Sequence, residues 1–198
     1  MTEERTICAI ALKEWAVVCQ ALATGEQLVL FRKGGIHEGA DGFQPEHAGF
    51  WLFPTGFHQS LENVRDQHKA SAAACLGEPP AAGVIPIQTY CRIESLCWVS
   101  DEQRLAALRP FHILTDEAVA ARFHYRQPGV FVLQLEVCSL PTAVTVPANP
   151  RYDGCHSWVE LDDAISTAEL QPLIQSREQA QRVAALKTVL PELKPLSR

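Results

Sequence analysis

Short apolar runs alternate with polar segments along most of the chain, a pattern that predicts several strands and fewer helices. Residues 15–22 and 27–31 are β-prone runs separated by a short turn containing glycine, which predicts a β-hairpin. Residues 50–53 predict a compact strand that ends at Pro54, because proline cannot donate to a sheet ladder. Residues 130–140 alternate and predict the clearest strand of the chain.

The remaining periodic segments complete an arrangement of helices beside a sheet. Further strands are predicted at residues 85–99, 144–146 and 156–161. Helices are predicted at residues 61–76 with Ser60 as the cap, at 102–108, at 116–125 with Thr115 as the cap, and again after residue 162. This order predicts an α+β fold with a mixed or mainly antiparallel sheet and flanking helices. Residues 1–165 are predicted to form one domain, and residues 166–198 a C-terminal helical extension.

Residues 32–42 are rich in glycine and polar groups, so they predict a surface loop of a kind that is often functional. The loop opens with Arg32, Lys33, Gly34 and Gly35. Two adjacent cations followed by two residues without side chains allow backbone N–H groups to approach an anion closely. Phosphate or carboxylate capture is one interpretation, and a turn with solvated charges is the other.

Four of the seven histidines lie between residues 32 and 69, together with several acidic residues. Glu46, His47, His58 and Glu62 are candidate ligands for a divalent metal, since imidazole and carboxylate groups both suit Zn, Mn or Fe. No H-x-x-x-H or H-x-x-E-H arrangement supports this interpretation. The alternative is a set of solvated loop histidines and surface ion pairs, each of which contributes little.

Two further groups of polar residues carry weaker signals. His112 lies just before the predicted helix that Thr115 caps, and it could either donate a proton or only satisfy a hydrogen bond. Cys155 is adjacent to His156, but neighbours on a strand point to opposite faces, so adjacency alone does not make a catalytic pair.

Composition narrows the possible partners. The 198 residues carry a net charge of -6, which argues against non-specific nucleic-acid binding while leaving room for a local basic pocket. No apolar run is long enough to span a membrane, and the polar, acidic start does not predict a signal peptide. The seven cysteines form no C-x-x-C pair and predict reduced thiols, hence a cytoplasmic protein. Composition predicts no particular oligomeric state.

Several segments together resemble family 1802 of the domain-of-unknown-function series, which is found in bacteria and archaea. They read ALKEWAVV from residue 11, LFRKGGIHE from 30, FWLFPT from 50, HQ from 58, HILTDEAV from 112 and YDGCHSWVEL from 152. No established activity comes with this resemblance. It implies a shared pattern that includes Arg32, Lys33, Gly34, Gly35, Glu38, Pro54, Thr55, His58, Gln59, His112, Thr115 and Glu117.

Residues 15–77 also resemble the opening of a Nudix phosphohydrolase. Gly56, Glu62 and Gly77 keep the spacing of the Nudix box, but residues 70–75 read ASAAAC where that box carries its arginine and glutamates. A site that holds divalent metal against a pyrophosphate needs several carboxylates at once. The resemblance therefore implies a Nudix-like fold without the standard Nudix reaction.

The sequence predicts a binding or regulatory module for a phosphorylated or other anionic small ligand. The alternatives are a metal-dependent hydrolase or nuclease that uses the cluster at residues 46–62, and a nucleic-acid reader, which the overall acidity disfavours. The predicted ligand-binding residues are Arg32, Lys33, Gly34, Gly35, Glu38, Thr55, His58, Gln59, His112 and Thr115.

Overall fold

A mixed β-sheet organises the protein, and the computed structural model describes residues 6–33, 36–39, 42–56, 60–76, 83–154, 156–173 and 176–196. The strands are β1 (Ile7–Trp15), β2 (Val29–Arg32), β3 (Ile36–Gly39), β4 (Gly42–Pro45), β5 (Gly49–Thr55), β6 (Val84–Val99), β7 (Val130–Pro147), β8 (Trp158–Ser166), β9 (Gln171–Pro172) and β10 (Lys194–Pro195). Six of them follow the spatial order β2-β7-β6-β5-β1-β8. The short β9 and β10 pair with β7 and β6, and β3 pairs with β4 in a separate ribbon.

Helices flank this sheet. They are α1 (Ala16–Ala23), α2 (Lys69–Leu76), α3 (Asp116–His124) and α4 (Arg177–Val189), with 3-10 helices at Leu61–Asn63, Asp66–His68, Glu102–Phe111 and Pro150–Tyr152. Within the described ranges, no helix combines the length and the apolar character needed to cross a membrane. The predicted α+β class, with a mixed and mainly antiparallel sheet and flanking helices, is confirmed.

Strands β1 and β5 run parallel, from the pair Ala11 and Trp51 to the pair Trp15 and Thr55. Every other pairing among the described strands is antiparallel. Both parallel strands therefore end at the same edge of the sheet. Residues that follow or terminate β1 and β5 meet there, although about forty positions separate them in the sequence.

The two faces of the sheet bury different sets of side chains. On β1, Leu12 belongs to the larger apolar cluster, whereas its neighbour Ala11 belongs to a second cluster with Trp51 and Tyr152. Alternation along the strands explains this division, because successive residues point to opposite faces. Helices α1, α3 and α4 pack on the larger cluster, to which they contribute residues such as Phe123.

The predicted hairpin between residues 15–22 and 27–31 is wrong. Strand β1 ends at Trp15, and helix α1 follows at once. Its residues Val17, Val18, Ala21 and Leu22 are buried, which places them on one helical face. A run of eight residues in which only Gln20 is polar does not distinguish a buried helix from a strand by periodicity. The second run does form β2, which pairs with β7 instead of with a hairpin partner.

The prediction of a surface loop at residues 32–42 is also corrected, because part of this segment forms paired strands. The backbone forms a ribbon in which β3 and β4 pair antiparallel, from Ile36 opposite Pro45 to Gly39 opposite Gly42. The ladder is built from backbone groups, which every residue other than proline supplies in full. Polar and glycine-rich composition therefore did not prevent strand pairing.

The predicted helix at residues 61–76 is interrupted. Ser60 caps a 3-10 turn by accepting a hydrogen bond from the Glu62 backbone N–H at 3.1 Å. Val64 is then extended and bridges Leu114, and the Arg65 backbone N–H donates to the Ile113 carbonyl at 3.0 Å. This pairing with a distant segment draws the chain out of helical geometry before α2 begins. Without the hairpin and the continuous helix, the Nudix-like arrangement is not formed.

The segments with strong local signals are confirmed. Thr115 caps α3, since its Oγ1 accepts a hydrogen bond from the Ala118 backbone N–H at 3.2 Å. The predicted strands at residues 130–140 and 144–146 are parts of the single long strand β7. The helix predicted after residue 162 begins later, because β8 continues to Ser166 and α4 starts at Arg177. Leu186 and Leu190 are fully buried in the larger cluster, so α4 packs against it.

Candidate functional site

A buried carboxylate lies at the centre of the site. Glu14, the penultimate residue of β1, has a side chain that is only 4% exposed. One of its oxygens accepts a hydrogen bond from Arg122 on α3 at 3.1 Å and another from the Trp15 backbone N–H at 2.9 Å. The second oxygen lies 3.5 Å from Nη1 of Arg32, the last residue of β2. Two strands and a helix therefore meet at this carboxylate.

The charges of this group do not cancel. Burial alone would raise the pKa of the Glu14 carboxyl, but the attraction of Arg122 and Arg32 outweighs burial, and the pKa lies below its ordinary value. Burial lowers the pKa of the Arg32 guanidinium, which Glu14 partly offsets. An arginine keeps its charge under all ordinary conditions. Two guanidinium groups therefore share one carboxylate, and one positive charge remains.

Further contacts hold Arg122 and Glu14 in position. The Arg122 guanidinium stacks over the Trp15 ring at 4.7 Å, a cation–π contact that holds its plane. Thr55, the last residue of β5, donates its hydroxyl proton to the Glu14 backbone carbonyl at 3.3 Å. The Arg32 side chain is 15% exposed and borders an open space.

That open space is a cavity of about 710 Å³ at the carboxyl ends of β1 and β5. Its volume lies within the usual range of sites for small organic ligands. The polar part of its wall is formed by Lys13, Glu14, Arg32, Thr55, Asn149 and Asp153. The apolar part is formed by Trp15, Phe53, Pro54, Ile85, Ala148 and Tyr152. His156 and Ser157 complete the lining, together with Gly56 and Gly154.

Among the predicted ligand-binding residues, Arg32 and Thr55 meet in this cavity. Gly34, Gly35, His58 and Gln59 lie outside the described residues. Glu38 lies on β3 opposite Phe43. The predicted convergence of the residue 32–38 segment with residues 58 and 59 therefore stays a prediction.

Lys33 contacts the protein itself. Its ammonium donates to the carbonyl of Phe123 at 3.1 Å and to the carbonyls of Gln127 and Gly129. It also lies 5.5 Å from the centre of the Trp98 ring. The Phe123 carbonyl lies in the last turn of α3, where a cation stabilises the partial negative charge of the helix end, and the other two carbonyls lie in the segment that follows. Lys33 thereby fastens α3, which carries Arg122, to the end of β2.

His112 is buried, with 1% of its surface exposed. Its Nδ1 accepts a hydrogen bond from the Leu114 backbone N–H at 3.1 Å, so the proton of the neutral ring resides on Nε2. Within the described residues, this Nε2 has no hydrogen-bond partner. Burial, reinforced by the positive charge of Arg65, lowers the pKa of His112 to about 3. Neither His112 nor Thr115 lines the large cavity.

The candidate metal ligands that the structure describes do not converge on one point. His47 Nε2 lies 3.9 Å from Glu46 Oε1, and its ring packs edge-on against Trp158. Glu62 lies in the 3-10 turn that Ser60 caps. His58 lies outside the described residues. Across the described part of the chain, no group of three or more His, Cys, Asp or Glu side chains could hold a metal ion.

Sequence reasoning missed the central residue of the site. Between Leu12 and Val17, Glu14 and its neighbour Lys13 are the polar residues of an apolar stretch. An ionisable residue at a buried position of a strand requires a charged partner. That signal could have directed attention to Glu14, but the identity of its partners, Arg32 and Arg122, depends on the tertiary fold.

Comparison with known proteins identifies a family and distant structural neighbours. The family model described as Domain of unknown function (DUF1802) matches residues 11–185. Among curated proteins, none matches this chain. The crystal structure of ASCH from Zymomonas mobilis is 12% identical and superposes with a TM-score of 0.45, covering 95% of this chain and 97% of that chain. Two mutant structures of that protein superpose with TM-scores of 0.44 and 0.45, at 11% and 10% identity; both cover 89% of this chain, and 96% and 94% of their own chains. The functional conclusion therefore depends on the geometry of the site.

Proposed function

This chain belongs to the DUF1802 family, and we propose that it is a binding module whose cavity receives a small anionic ligand. Arg32 is the primary anion-binding residue in this proposal, and Thr55 supports the same wall. The ligand is a phosphorylated or carboxylated small molecule. Standard Nudix hydrolysis is not part of the proposal, because residues 70–75 lack the carboxylates of that reaction.

One observation carries the proposal: Arg32 lines a cavity of about 710 Å³, and its guanidinium also contacts the buried carboxylate of Glu14. The contact with Glu14 engages Nη1 of Arg32. A guanidinium has five N–H donors in a fixed planar fork that matches carboxylate and phosphate oxygens. The remaining donors of Arg32 are those that we propose meet the ligand.

The excess positive charge at Glu14 supports the same conclusion. A buried carboxylate between two arginines leaves a site that an added anion would neutralise. Electrostatic attraction is stronger at such a partly desolvated position than at an open surface, where water and salt screen it. The ligand anion would therefore complete a four-membered network of alternating charge. This accounts for a local anion site in a chain whose net charge is -6.

The test compares two arginines that contact the same carboxylate. Arg32→Lys keeps the charge but removes the fork, which is not a conservative change at a bidentate site. Arg122→Lys also perturbs Glu14, yet Arg122 does not line the cavity. Arg92→Lys is the surface control, since Arg92 pairs with Glu136 at 3.2 Å outside the cavity. Calorimetric titration with inorganic phosphate, phosphorylated metabolites and nucleotides would measure the affinity of each variant.

We expect Arg32→Lys to weaken anion binding about tenfold or more, equivalent to about 1.4 kcal/mol, while Arg92→Lys binds like the parent. A smaller loss in Arg122→Lys would agree with an indirect role. Equal losses in Arg32→Lys and Arg122→Lys would contradict direct contact with Arg32. Failure of every anion in the panel to bind the parent protein would overturn the proposal.

A further inference from the structure

The cavity reaches both faces of the sheet at its edge. Lys13 and Glu14 are successive residues of β1, and so are Phe53 and Pro54, their partners on β5. Successive residues of a strand point to opposite faces of the sheet. Phe53 packs with Tyr152 in the second cluster, whereas Leu12, which shares a face with Glu14, packs in the larger cluster. The ionic group at Glu14 and the apolar wall at Phe53 therefore occupy different parts of one cavity.

The apolar wall is formed by two aromatic rings and an aliphatic side chain. The Tyr152 hydroxyl accepts a hydrogen bond from the Asp162 backbone N–H at 2.9 Å, so its polar end is already engaged. Phe53 packs against the Tyr152 ring at 5.7 Å between centroids, with the planes at 74°. Ile85 on β6 is only partly buried beside them and lines the cavity. Phe53 and Tyr152 are only 5% and 3% exposed, so most of the apolar surface that a ligand could remove from water at this wall belongs to Ile85.

The volume of the cavity also exceeds the needs of a bare anion. About 710 Å³ suits an organic molecule of moderate size, whereas a phosphate or a carboxylate alone would fill a small part of it. Sites of this kind combine an apolar lining with a few placed polar groups that fix the orientation of the ligand. Arg32 supplies such a polar group, and Phe53, Ile85 and Tyr152 supply such a lining.

We infer that the ligand is an amphiphile, an anionic group attached to an apolar ring or a branched apolar body. The anionic group meets Arg32 on one side of the sheet edge, and the apolar body covers Phe53, Ile85 and Tyr152 on the other. The inference rests on the proposed function, because it describes the apolar part of the ligand whose anionic part is proposed to bind Arg32. The anionic group is a carboxylate or a phosphate, since the oxygens of both accept hydrogen bonds from a guanidinium.

Two matched series of probes test the inference. The first compares inorganic phosphate, phenyl phosphate and naphthyl phosphate; the second compares acetate, benzoate and naphthoate. Each is titrated into the parent protein and into Ile85→Ala and Val144→Ala. Val144 is the control because it is 38% exposed and lies on β7 opposite Ile87, outside the large cavity. Thermal unfolding of each variant shows whether the fold is retained.

We expect the aromatic members to bind about tenfold tighter than the bare anion of their series, since burial of apolar area adds to the anion contact. Ile85→Ala should reduce this advantage severalfold without changing the affinity for the bare anion, and Val144→Ala should leave both unchanged. The series that binds identifies the head group as phosphate or carboxylate.

Two failures are distinguishable. Equal affinity for bare and aromatic anions, with dependence on Arg32, would overturn the amphiphile and leave the anion site intact. Aromatic binding that is insensitive to Ile85→Ala would also overturn the inference, because the apolar body would lie elsewhere. Absence of any binding that depends on Arg32 would overturn the proposed function itself.

Discussion

Acidification should destabilise the protein through His112, beginning at a pH above the range in which carboxylates usually titrate. The buried ring has a pKa lowered from 6.5 to about 3, chiefly by burial and then by Arg65. Protonation would place a hydrogen on Nδ1, which at present accepts a bond from the Leu114 backbone N–H. The charged ring would thus lose this hydrogen bond and remain buried beside a cation.

The direction and magnitude follow from proton linkage. Between pH 6.5 and 3 the unfolded chain binds a proton at His112 that the folded chain does not, so the free energy of unfolding falls as the pH falls through this window. The contribution is fully present above pH 6.5. The loss amounts to about 1 kcal/mol at pH 5.5 and about 3 kcal/mol at pH 4.5.

The assay is chemical denaturation between pH 7.5 and 4.5, with the parent protein compared with His112→Asn. The asparagine carbonyl can still accept the Leu114 N–H bond, but the side chain does not titrate. Other groups, including the Glu14 carboxyl with its lowered pKa, contribute equally to both proteins and cancel in the difference. Parallel pH profiles for the two proteins would refute the reasoning, because the titrating group would then not be His112.

Two further predictions concern stability. Glu14→Gln should lower the free energy of unfolding by about 3–5 kcal/mol, because it leaves two arginines buried without their carboxylate. Gly129→Ala should be far more costly than Gly83→Ala: both glycines have positive φ, at +118° and +83°, but only at Gly129 would the added Cβ lie 2.1 Å from the Trp98 ring. Gly83→Ala should cost only about 1–2 kcal/mol, the cost of the left-handed backbone.

Denaturation at pH 7.5 measures both effects. Glu169→Gln is the control for Glu14→Gln, since Glu169 is exposed and its neutralisation should change stability by less than about 0.5 kcal/mol. A Glu14→Gln protein as stable as this control would contradict the assignment of a buried ionic centre. Equal costs at Gly129 and Gly83 would show that the Trp98 ring moves aside without strain.

Part of the site was predictable because its signal is local. The pair Arg32 and Lys33 followed by two glycines stands out in the sequence, and Arg32 does line the cavity. Thr115 followed by an acidic first turn predicted a capped helix, and α3 begins there. Lys33 shows the limit of such signals. Its charge suggested a ligand contact, whereas the fold places it on three carbonyls in the last turn of α3 and just beyond it.

The sequence by itself determined the α+β class, the long strand β7 and the start of α3, since alternation and helix caps act between neighbours a few positions apart. Only the tertiary structure decided that residues 16–23 are helical, because an apolar run becomes a helix or a strand according to the surface that buries it. It also decided the site. Glu14, Arg32 and Arg122 lie on three separate elements, and they meet because β1 pairs with β5, β2 pairs with β7 and α3 packs across the larger cluster. Partners of a buried charge are set by such long-range contacts, which residue spacing does not encode.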